Sequence, residues 1–200
     1  MTITYPVRNG IYVNMTNKCN CACTFCLRQN SPGVYGSDSL WLEREPTVEE
    51  VCESLKEWDL DSKEEVVFCG YGEPTERLED LLKVAAWIKA NYKVPIRINT
   101  NGLSDLLYEK DTAPMLKGLI DAVSISLNAN NPEDYLKVTR SKHGIGSWQA
   151  MLDFAKHCTA YVPKVTMTVV DQVTSKEEQA EAKRICDEIG ATLRIRPLEN

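Results

Sequence analysis

Cysteine residues concentrate in one short segment near the amino terminus. Cys19, Cys23 and Cys26 have the spacing Cys-x3-Cys-x2-Cys, and no fourth cysteine stands at a matching spacing. Thiolates suit iron–sulfur clusters, and a four-iron cluster held by three of them keeps one iron without a protein ligand. An open coordination position allows a metal site to bind a substrate, whereas a fully ligated site is structural. The spacing therefore predicts a reactive metal site.

The chain has eight cysteines in total. Cys21 lies inside the same loop but off the ligand spacing, so we interpret it as a bystander. The remaining four are scattered singly and are interpreted as buried thiols: Cys52, Cys69, Cys158 and Cys186. The amino-terminal residues lack a secretory signal, so this distribution favours one metal loop over a set of disulfides. We expect a cytoplasmic protein.

Composition limits the function classes further. The 200 residues are 43% hydrophobic and 26% charged, which predicts one globular domain over residues 1–200. No apolar run reaches the roughly 18 residues that a membrane span needs. The net charge of −6 and the absence of a block of lysine or arginine make a direct nucleic-acid partner unfavourable.

Short β-rich runs alternate with helical stretches, which is the pattern of a parallel sheet built from βα units. Helices are indicated at 47–58, 78–92 and 175–189, the first by a capping box of Thr47 and Glu50. Six strands are predicted at residues 10–14, 65–69, 95–99, 122–127, 164–170 and 192–197.

One face of these strands is apolar and the other is polar, because side chains alternate with a period of two. Outer helices require the apolar face, so the polar face points inward and implies a cavity. Six strands are too few to close a barrel, and we therefore predict an α/β fold, a partial, open (βα)6 TIM-like barrel. A flat, doubly wound sheet needs both faces apolar and fits poorly. The polar positions include Tyr12, Arg97, Asn99, Ser124, Ser126, Thr166, Thr168, Arg194 and Arg196.

Each candidate motif directly follows a strand. The cysteine loop follows the first strand, and the Gly-Tyr-Gly-Glu-Pro segment at 70–74 follows the second. Polar segments at 99–102 and 124–128 end the third and fourth strands. Loops after barrel strands gather at one end, where active sites are built. We therefore expect these four segments to form one site.

In this order, the four segments resemble the radical S-adenosylmethionine (SAM) superfamily, whose signature Cys-x3-Cys-x-aromatic-Cys is matched by Cys19, Cys23, Phe25 and Cys26. The resemblance implies a [4Fe-4S] cluster on the three cysteines, with SAM chelating the fourth iron. It also implies reductive cleavage of SAM to a 5′-deoxyadenosyl radical that abstracts a substrate hydrogen. The compact chain is similar to small stand-alone members associated with TatD-type nucleases.

The same resemblance implies roles for residues outside the cysteine loop. Gly70, Gly72 and Glu73 match the glycine-rich turn that accepts hydrogen bonds from the SAM ammonium group, although Tyr71 departs from the common Gly-Gly-Glu-Pro form. Further SAM contacts are implied for the adenine, ribose and carboxylate: Phe25, Thr100, Asn101, Ser126, Asn128 and Arg140.

Three inward-facing arginines suggest the kind of substrate. Buried guanidinium groups are costly without an anion, so Arg97, Arg194 and Arg196 either bind a carboxylate or phosphate of the substrate or pair with buried acids such as Glu73 or Glu199.

The segment 28–45 follows the cysteines without helical or strand periodicity and contains two aromatic residues that favour burial, Tyr35 and Trp41. We expect a lid over the site, with Tyr35 as a candidate substrate contact, rather than a disordered surface loop.

We therefore predict a radical SAM enzyme that abstracts a hydrogen from an anionic small molecule and receives electrons from a donor such as flavodoxin or ferredoxin. Two alternatives stay open. The chain could install a glycyl radical on a partner protein, or it could be a non-catalytic iron–sulfur or zinc-binding module.

Overall fold

A computed structural model of the chain describes residues 1–171 and 174–197. One seven-stranded sheet runs in chain order, and each strand pairs with the next. Its strands are β1 (Thr4–Val7), β2 (Gly10–Val13), β3 (Glu65–Phe68), β4 (Ile96–Thr100), β5 (Ala122–Ser126), β6 (Lys164–Val170) and β7 (Thr192–Arg196). The six predicted strands are confirmed as the parallel set β2 to β7. The edge strands β1 and β7 do not pair with each other, so the barrel is open, as predicted.

Strand β1 is an addition to the prediction. It pairs antiparallel with β2 through a two-residue connection, with Thr4 opposite Val13 and Val7 opposite Gly10. The turn places Arg8 in the left-handed region, with a φ of 54°. Pro6 lies within β1, and proline is tolerated in a sheet at an edge strand. The hairpin therefore extends the parallel sheet at its edge.

Six α-helices in the described residues connect the strands: α1 (Val48–Lys56), α2 (Leu78–Asn91), α3 (Ser104–Tyr108), α4 (Pro132–Thr139), α5 (Ser147–Cys158) and α6 (Lys176–Ile189). The capping box predicted at Thr47 and Glu50 is present, and α1 ends two residues earlier than expected. Ser175 caps α6 in the same way. Gly190 ends α6 with a φ of 89°, a conformation that glycine adopts without strain.

The apolar strand faces pack against these helices. Val13, Phe68, Ile98, Val123 and Val165 are buried side by side on neighbouring strands and form the centre of the core. Their burial agrees with the predicted alternation, because residues at alternate positions of each strand face the same side.

Ile195 on the edge strand is the exception. The alternation that places Arg194 and Arg196 on the polar face predicts Ile195 on the apolar face, but it is 45% exposed. Within the described residues, β7 pairs with a neighbouring strand on one side only. The alternation of apolar and polar residues along an edge strand does not predict whether other elements cover its apolar face. No helix in the described part of the chain is long and apolar enough to cross a membrane.

Candidate functional site

The polar strand faces enclose a cavity of about 310 Å3 at the carboxyl ends of the parallel strands. Because the loops after β2, β3, β4 and β5 meet at this end, the four predicted segments contribute to one site. The candidate residues that line the cavity are Cys19, Cys23, Phe25, Cys26, Tyr35, Gly70, Gly72, Glu73, Arg97, Thr100, Asn101, Ser126, Asn128, Arg194 and Arg196.

The cysteine loop follows β2 and is held by α4. The backbone N–H groups of Ala22 and Thr24 donate to the carbonyl oxygens of Thr139 and Val138, each at 2.9 Å. These bonds use carbonyl groups at the end of α4, which have no partner inside the helix. The cysteine loop is therefore positioned by two elements, β2, which it follows, and the end of α4, which accepts its hydrogen bonds.

Cys21 lies among the three candidate ligands. It is buried, and its backbone N–H donates to the sulfur of Cys19 at 3.4 Å. Hydrogen bonding with Cys21 lowers the pKa of Cys19 and of Cys23, whereas the same contacts together with burial raise the pKa of Cys21. A lowered pKa favours the thiolate, which is the form that binds metal. Within this group, the contacts thus favour the thiolate form at Cys19 and Cys23 and the thiol form at Cys21. Burial raises the pKa of Cys26.

The spacing of the sulfur atoms tests which metal group fits. Zn–S bonds of about 2.3 Å in a tetrahedral site require sulfur atoms about 3.8 Å apart. Within the described residues, Cys19, Cys23 and Cys26 do not form a group whose sulfur atoms all lie within 4.8 Å of one another. A wider set of thiols fits a multi-iron cluster, because each thiolate binds a different iron. The donor set and its spacing favour a cluster over a single zinc ion.

Glu73 organises the loop after β3. Its Oε1 atom accepts hydrogen bonds from the Thr75 N–H (3.1 Å), the Thr75 hydroxyl (2.7 Å) and the Thr100 hydroxyl (2.7 Å). Its Oε2 atom accepts one hydrogen bond, from the Asn101 N–H at 2.8 Å. Burial raises the pKa of Glu73 even though these donors lower it. A carboxylate oxygen can accept two or more hydrogen bonds, so Oε2 keeps capacity for a cationic donor in the cavity.

Gly70 and Gly72 are required by close packing. A Cβ atom at Gly72 would lie 2.3 Å from the Thr16 carbonyl oxygen and 2.6 Å from that of Lys18. A Cβ atom at Gly70 would lie 2.1 Å from Oδ1 of Asn14. The backbone of this turn therefore approaches the segment that leads into the cysteine loop. The packing of the chain itself therefore requires these glycines, in addition to the ligand contact that the resemblance implies.

Tyr71, the departure from the common motif, holds the segment 28–45. Its hydroxyl donates to the Ser31 carbonyl oxygen, and its ring packs edge-on against Trp41 with 5.3 Å between ring centroids. Arg28 donates to the carbonyl oxygens of Tyr71 (3.4 Å) and Cys21 (3.3 Å). These contacts connect the segment to the turn that carries Glu73.

The expected burial of the two aromatics in this segment was wrong. Tyr35 is 51% exposed and Trp41 is 43% exposed, whereas Leu40 is fully buried. Leu40 packs with Tyr5, Val7 and Tyr71, so an aliphatic residue fixes the segment to the barrel. Tyr35 nevertheless lines the cavity, so the segment covers part of its mouth.

The three arginines have different environments. Arg97 forms a two-point ion pair with Glu65, in which Nε donates to Oε2 at 2.9 Å and Nη2 donates to Oε1 at 2.5 Å. Of the two alternatives that the sequence left open, Arg97 therefore follows the second. It pairs with an acidic residue, which is Glu65 and not Glu73. Arg194 is exposed. The Nε atom of Arg196 is buried and has no hydrogen-bond partner in the described part of the chain. Glu199 lies outside the described residues.

Arg140 is not brought to the cavity. Thr139, the last residue of α4, is buried and lines the cavity, and Arg140 follows in the left-handed conformation with a φ of 49°. The side chain of Arg140 is exposed. The inward position at this end of α4 therefore belongs to Thr139, because its carbonyl group bonds to the cysteine loop.

Three residues of the site were missed by the sequence reasoning or given a lesser role. Asn20 accepts a hydrogen bond from Nδ2 of Asn101 at 2.6 Å. Cys69 was interpreted as a buried thiol but lines the cavity. Tyr135 is fully buried near the cysteine loop. The available signal for Asn20 was its position as a polar residue between two candidate ligand cysteines. Tyr135 had no such signal, because an aromatic residue at its position fits any amphipathic helix.

Comparison with known proteins identifies the family. The family model described as the radical SAM superfamily matches residues 13–184. A "Probable GTP 3′,8-cyclase" of Thermococcus kodakarensis is 29% identical over 86% of this chain and 51% of its own length. A protein of the same name from Methanothermobacter marburgensis is 27% identical over 93% of this chain and 56% of its own length. The chain thus spans about half the length of these curated relatives.

Solved structures support the fold. SuiB of Streptococcus suis, bound to its precursor peptide SuiA, matches with a TM-score of 0.69 at 19% identity, over 94% of this chain and 39% of its own. A radical SAM methyltransferase from Sphaerobacter thermophilus matches with a TM-score of 0.65 at 19% identity, over 96% of this chain and 56% of its own. The family model covers most of the chain, and we conclude that it belongs to the radical SAM superfamily, whose enzymes use a [4Fe-4S] cluster and S-adenosylmethionine.

Proposed function

We propose that this enzyme abstracts a hydrogen atom from an anionic small molecule held in the lumen of the open barrel. Cys19, Cys23 and Cys26 are the proposed ligands of the cluster. When bound, the cluster and SAM supply a 5′-deoxyadenosyl radical, and a donor such as flavodoxin or ferredoxin supplies the electron. The remaining cavity residues bind, orient and shield the reactants.

Glu73 is the proposed acceptor for the SAM ammonium group. Three of its four hydrogen bonds fall on Oε1, so Oε2 is the less occupied atom of a buried carboxylate. Thr100 and Asn101 fix that carboxylate by donating to it, which makes them positioning residues. Phe25, Ser126 and Asn128 line the same cavity and are proposed to contact the adenosyl moiety.

The buried Nε atom of Arg196 is the observation that carries the substrate proposal. An unpaired buried donor costs about 1–3 kcal/mol, and a ligand that accepts from it removes this cost. Arg196 and Arg194 lie on β7 and line the cavity, so both are available to an anionic group. Arg97 already pairs with Glu65 and is proposed to hold the lumen wall instead.

The relatives support an anion of this type. Their name refers to GTP, a nucleotide with a triphosphate group, and we carry over only this chemical class. A phosphate group accepts hydrogen bonds from guanidinium in a two-point geometry, which suits Arg194 and Arg196.

The first experiment tests the radical chemistry. The protein is purified anaerobically, reconstituted with iron and sulfide, reduced and incubated with SAM. We expect four irons per chain and release of 5′-deoxyadenosine. Tightly bound zinc without SAM cleavage would instead support the metal-binding module.

The second experiment tests the substrate class. Calorimetric titration of the SAM-loaded protein compares GTP and inorganic triphosphate with uncharged guanosine. Arg196→Ala should weaken binding of both anions by about 10- to 100-fold, and the exposed Arg184→Ala on α6 serves as the matched control. Equal binding of both anions to wild type and Arg196→Ala would contradict the proposal, as would a glycyl-radical EPR signal formed in a partner protein.

A further inference from the structure

Tyr135 carries a buried hydroxyl group without a partner. The residue lies in α4 and is 0% exposed, and its hydroxyl oxygen has no hydrogen-bond partner within the described residues. An unpaired buried hydroxyl is unfavourable, and most buried polar side-chain atoms in proteins have a partner. Phenylalanine would fill the same volume without this cost. The hydroxyl therefore requires an explanation beyond packing.

The hydroxyl lies near the cysteine loop and Glu73. Burial, followed by the charges of the nearby Cys21, Cys23, Glu73 and Cys19, raises the pKa of Tyr135. The group thus remains a neutral O–H donor beside the cysteine loop. Glu73 does not accept from this hydroxyl in the structure, since the hydroxyl has no hydrogen-bond partner among the described residues.

The helix that carries Tyr135 is fixed to the cysteine loop. Two backbone hydrogen bonds of 2.9 Å join the end of α4 to Ala22 and Thr24, on either side of Cys23. Tyr135 lies about one helical turn before these two carbonyl groups. The attachment of α4 to the cysteine loop therefore fixes the position of Tyr135 relative to that loop. Its hydroxyl can donate to a sulfur atom when the cluster is bound.

We propose that the Tyr135 hydroxyl donates a hydrogen bond to a sulfur atom of the cluster, either a cysteine thiolate or a bridging sulfide. The inference rests on the proposed cluster at Cys19, Cys23 and Cys26. Hydrogen bonds to sulfur set the reduction potential of iron–sulfur clusters, because they stabilise the additional negative charge of the reduced form. Tyr135 is thus a positioning residue that makes the cluster easier to reduce.

The test uses Tyr135→Phe and a matched variant, Tyr108→Phe. The hydroxyl of Tyr108 accepts a hydrogen bond from the Leu78 N–H at 3.0 Å and lies in a different part of the chain. Both variants and the wild type are reconstituted anaerobically, assayed for iron and sulfide, and titrated with reductant while the EPR signal is recorded. With equal iron content, Tyr135→Phe should have the more negative potential, by about 59 mV if the one-electron equilibrium changes tenfold. Tyr108→Phe should match the wild type.

A second measurement separates this role from a structural one. In urea unfolding of the metal-free proteins, Tyr135→Phe should be as stable as the wild type or more stable, because it removes an unpaired hydroxyl. Tyr108→Phe should be less stable. Four irons per chain with an unchanged potential in Tyr135→Phe would overturn this inference alone, and so would a metal-free Tyr135→Phe protein destabilised like Tyr108→Phe. A wild type that binds no iron would overturn the proposed function and this inference with it.

Discussion

The backbone N–H of Asn101 donates a 2.8 Å hydrogen bond to Oε2 of Glu73, and the Asn101 side chain reaches Asn20 and the sulfur of Cys21 at 2.6 and 3.6 Å. One residue thus joins the turn after β3 to the cysteine loop. The proposed SAM acceptor and the proposed cluster ligands are positioned relative to each other through this residue, although they come from different parts of the chain.

Glu73→Gln should lower stability and weaken SAM binding. An amide nitrogen cannot accept a hydrogen bond, so at least one buried donor around position 73 loses its acceptor, at a cost of about 1–3 kcal/mol. Urea unfolding measures the first effect and calorimetric titration with SAM the second. The exposed Glu57→Gln at the end of α1 is the control. Wild-type stability and SAM affinity in Glu73→Gln would show that these hydrogen bonds do not organise the site.

Alanine variants of the loop cysteines should fall into two groups. Cys19→Ala, Cys23→Ala and Cys26→Ala should each bind fewer than four irons after reconstitution, because each lacks one thiolate ligand. Cys21→Ala should keep four irons, since Cys21 lies off the Cys-x3-Cys-x2-Cys ligand spacing. Iron analysis and the visible absorption of the cluster measure the result, with Cys52→Ala on α1 as the remote control. Loss of iron in Cys21→Ala would assign it a ligand role.

The polar lumen could be predicted from the sequence because strand alternation is a local property. Arg97 and Asn99 on β4 and Ser124 and Ser126 on β5 repeat every second residue, and all four line the cavity. The same argument failed for Ile195, whose exposure depends on what covers an edge strand rather than on its neighbours in sequence.

Contacts between residues that are far apart in the sequence could not be predicted from such local patterns. The hydrogen bond from Asn101 to Asn20 joins residues 81 positions apart, and no local signal selects that pair. Arg140 does not line the cavity for a related reason. A match by spacing after a strand does not specify where α4 ends, and the end of the helix decides that Thr139 rather than Arg140 faces the cavity.

Gly72→Ala should destabilise the protein more than an alanine substitution at an open glycine. The added methyl group would lie 2.3 Å from a backbone oxygen, and overpacking of this kind costs about 1–3 kcal/mol or more. Gly146→Ala is the matched control, because no atom lies within 4 Å of its added carbon. Thermal and urea unfolding of both variants measure the difference. Equal stability of the two would show that the turn can move away from the cysteine loop.

The Glu65–Arg97 pair should make stability depend on pH below about pH 4.3, the ordinary pKa of glutamate. Hydrogen bonding from Arg97 lowers the pKa of Glu65 below that value, although partial burial opposes it. A lowered pKa means that the stabilisation is complete above the pKa of the unfolded chain and is lost as the pH falls through the pKa of the folded protein. Glu65→Gln should therefore unfold more easily at pH 7, by about 2 kcal/mol, and show a shallower loss of stability toward pH 3. Glu53→Gln is the control, because the Glu53–Lys56 pair is exposed and such pairs contribute little. Urea unfolding of the three proteins between pH 3 and 7 measures both effects, and parallel curves for wild type and Glu65→Gln would mean that this ion pair does not stabilise the lumen wall.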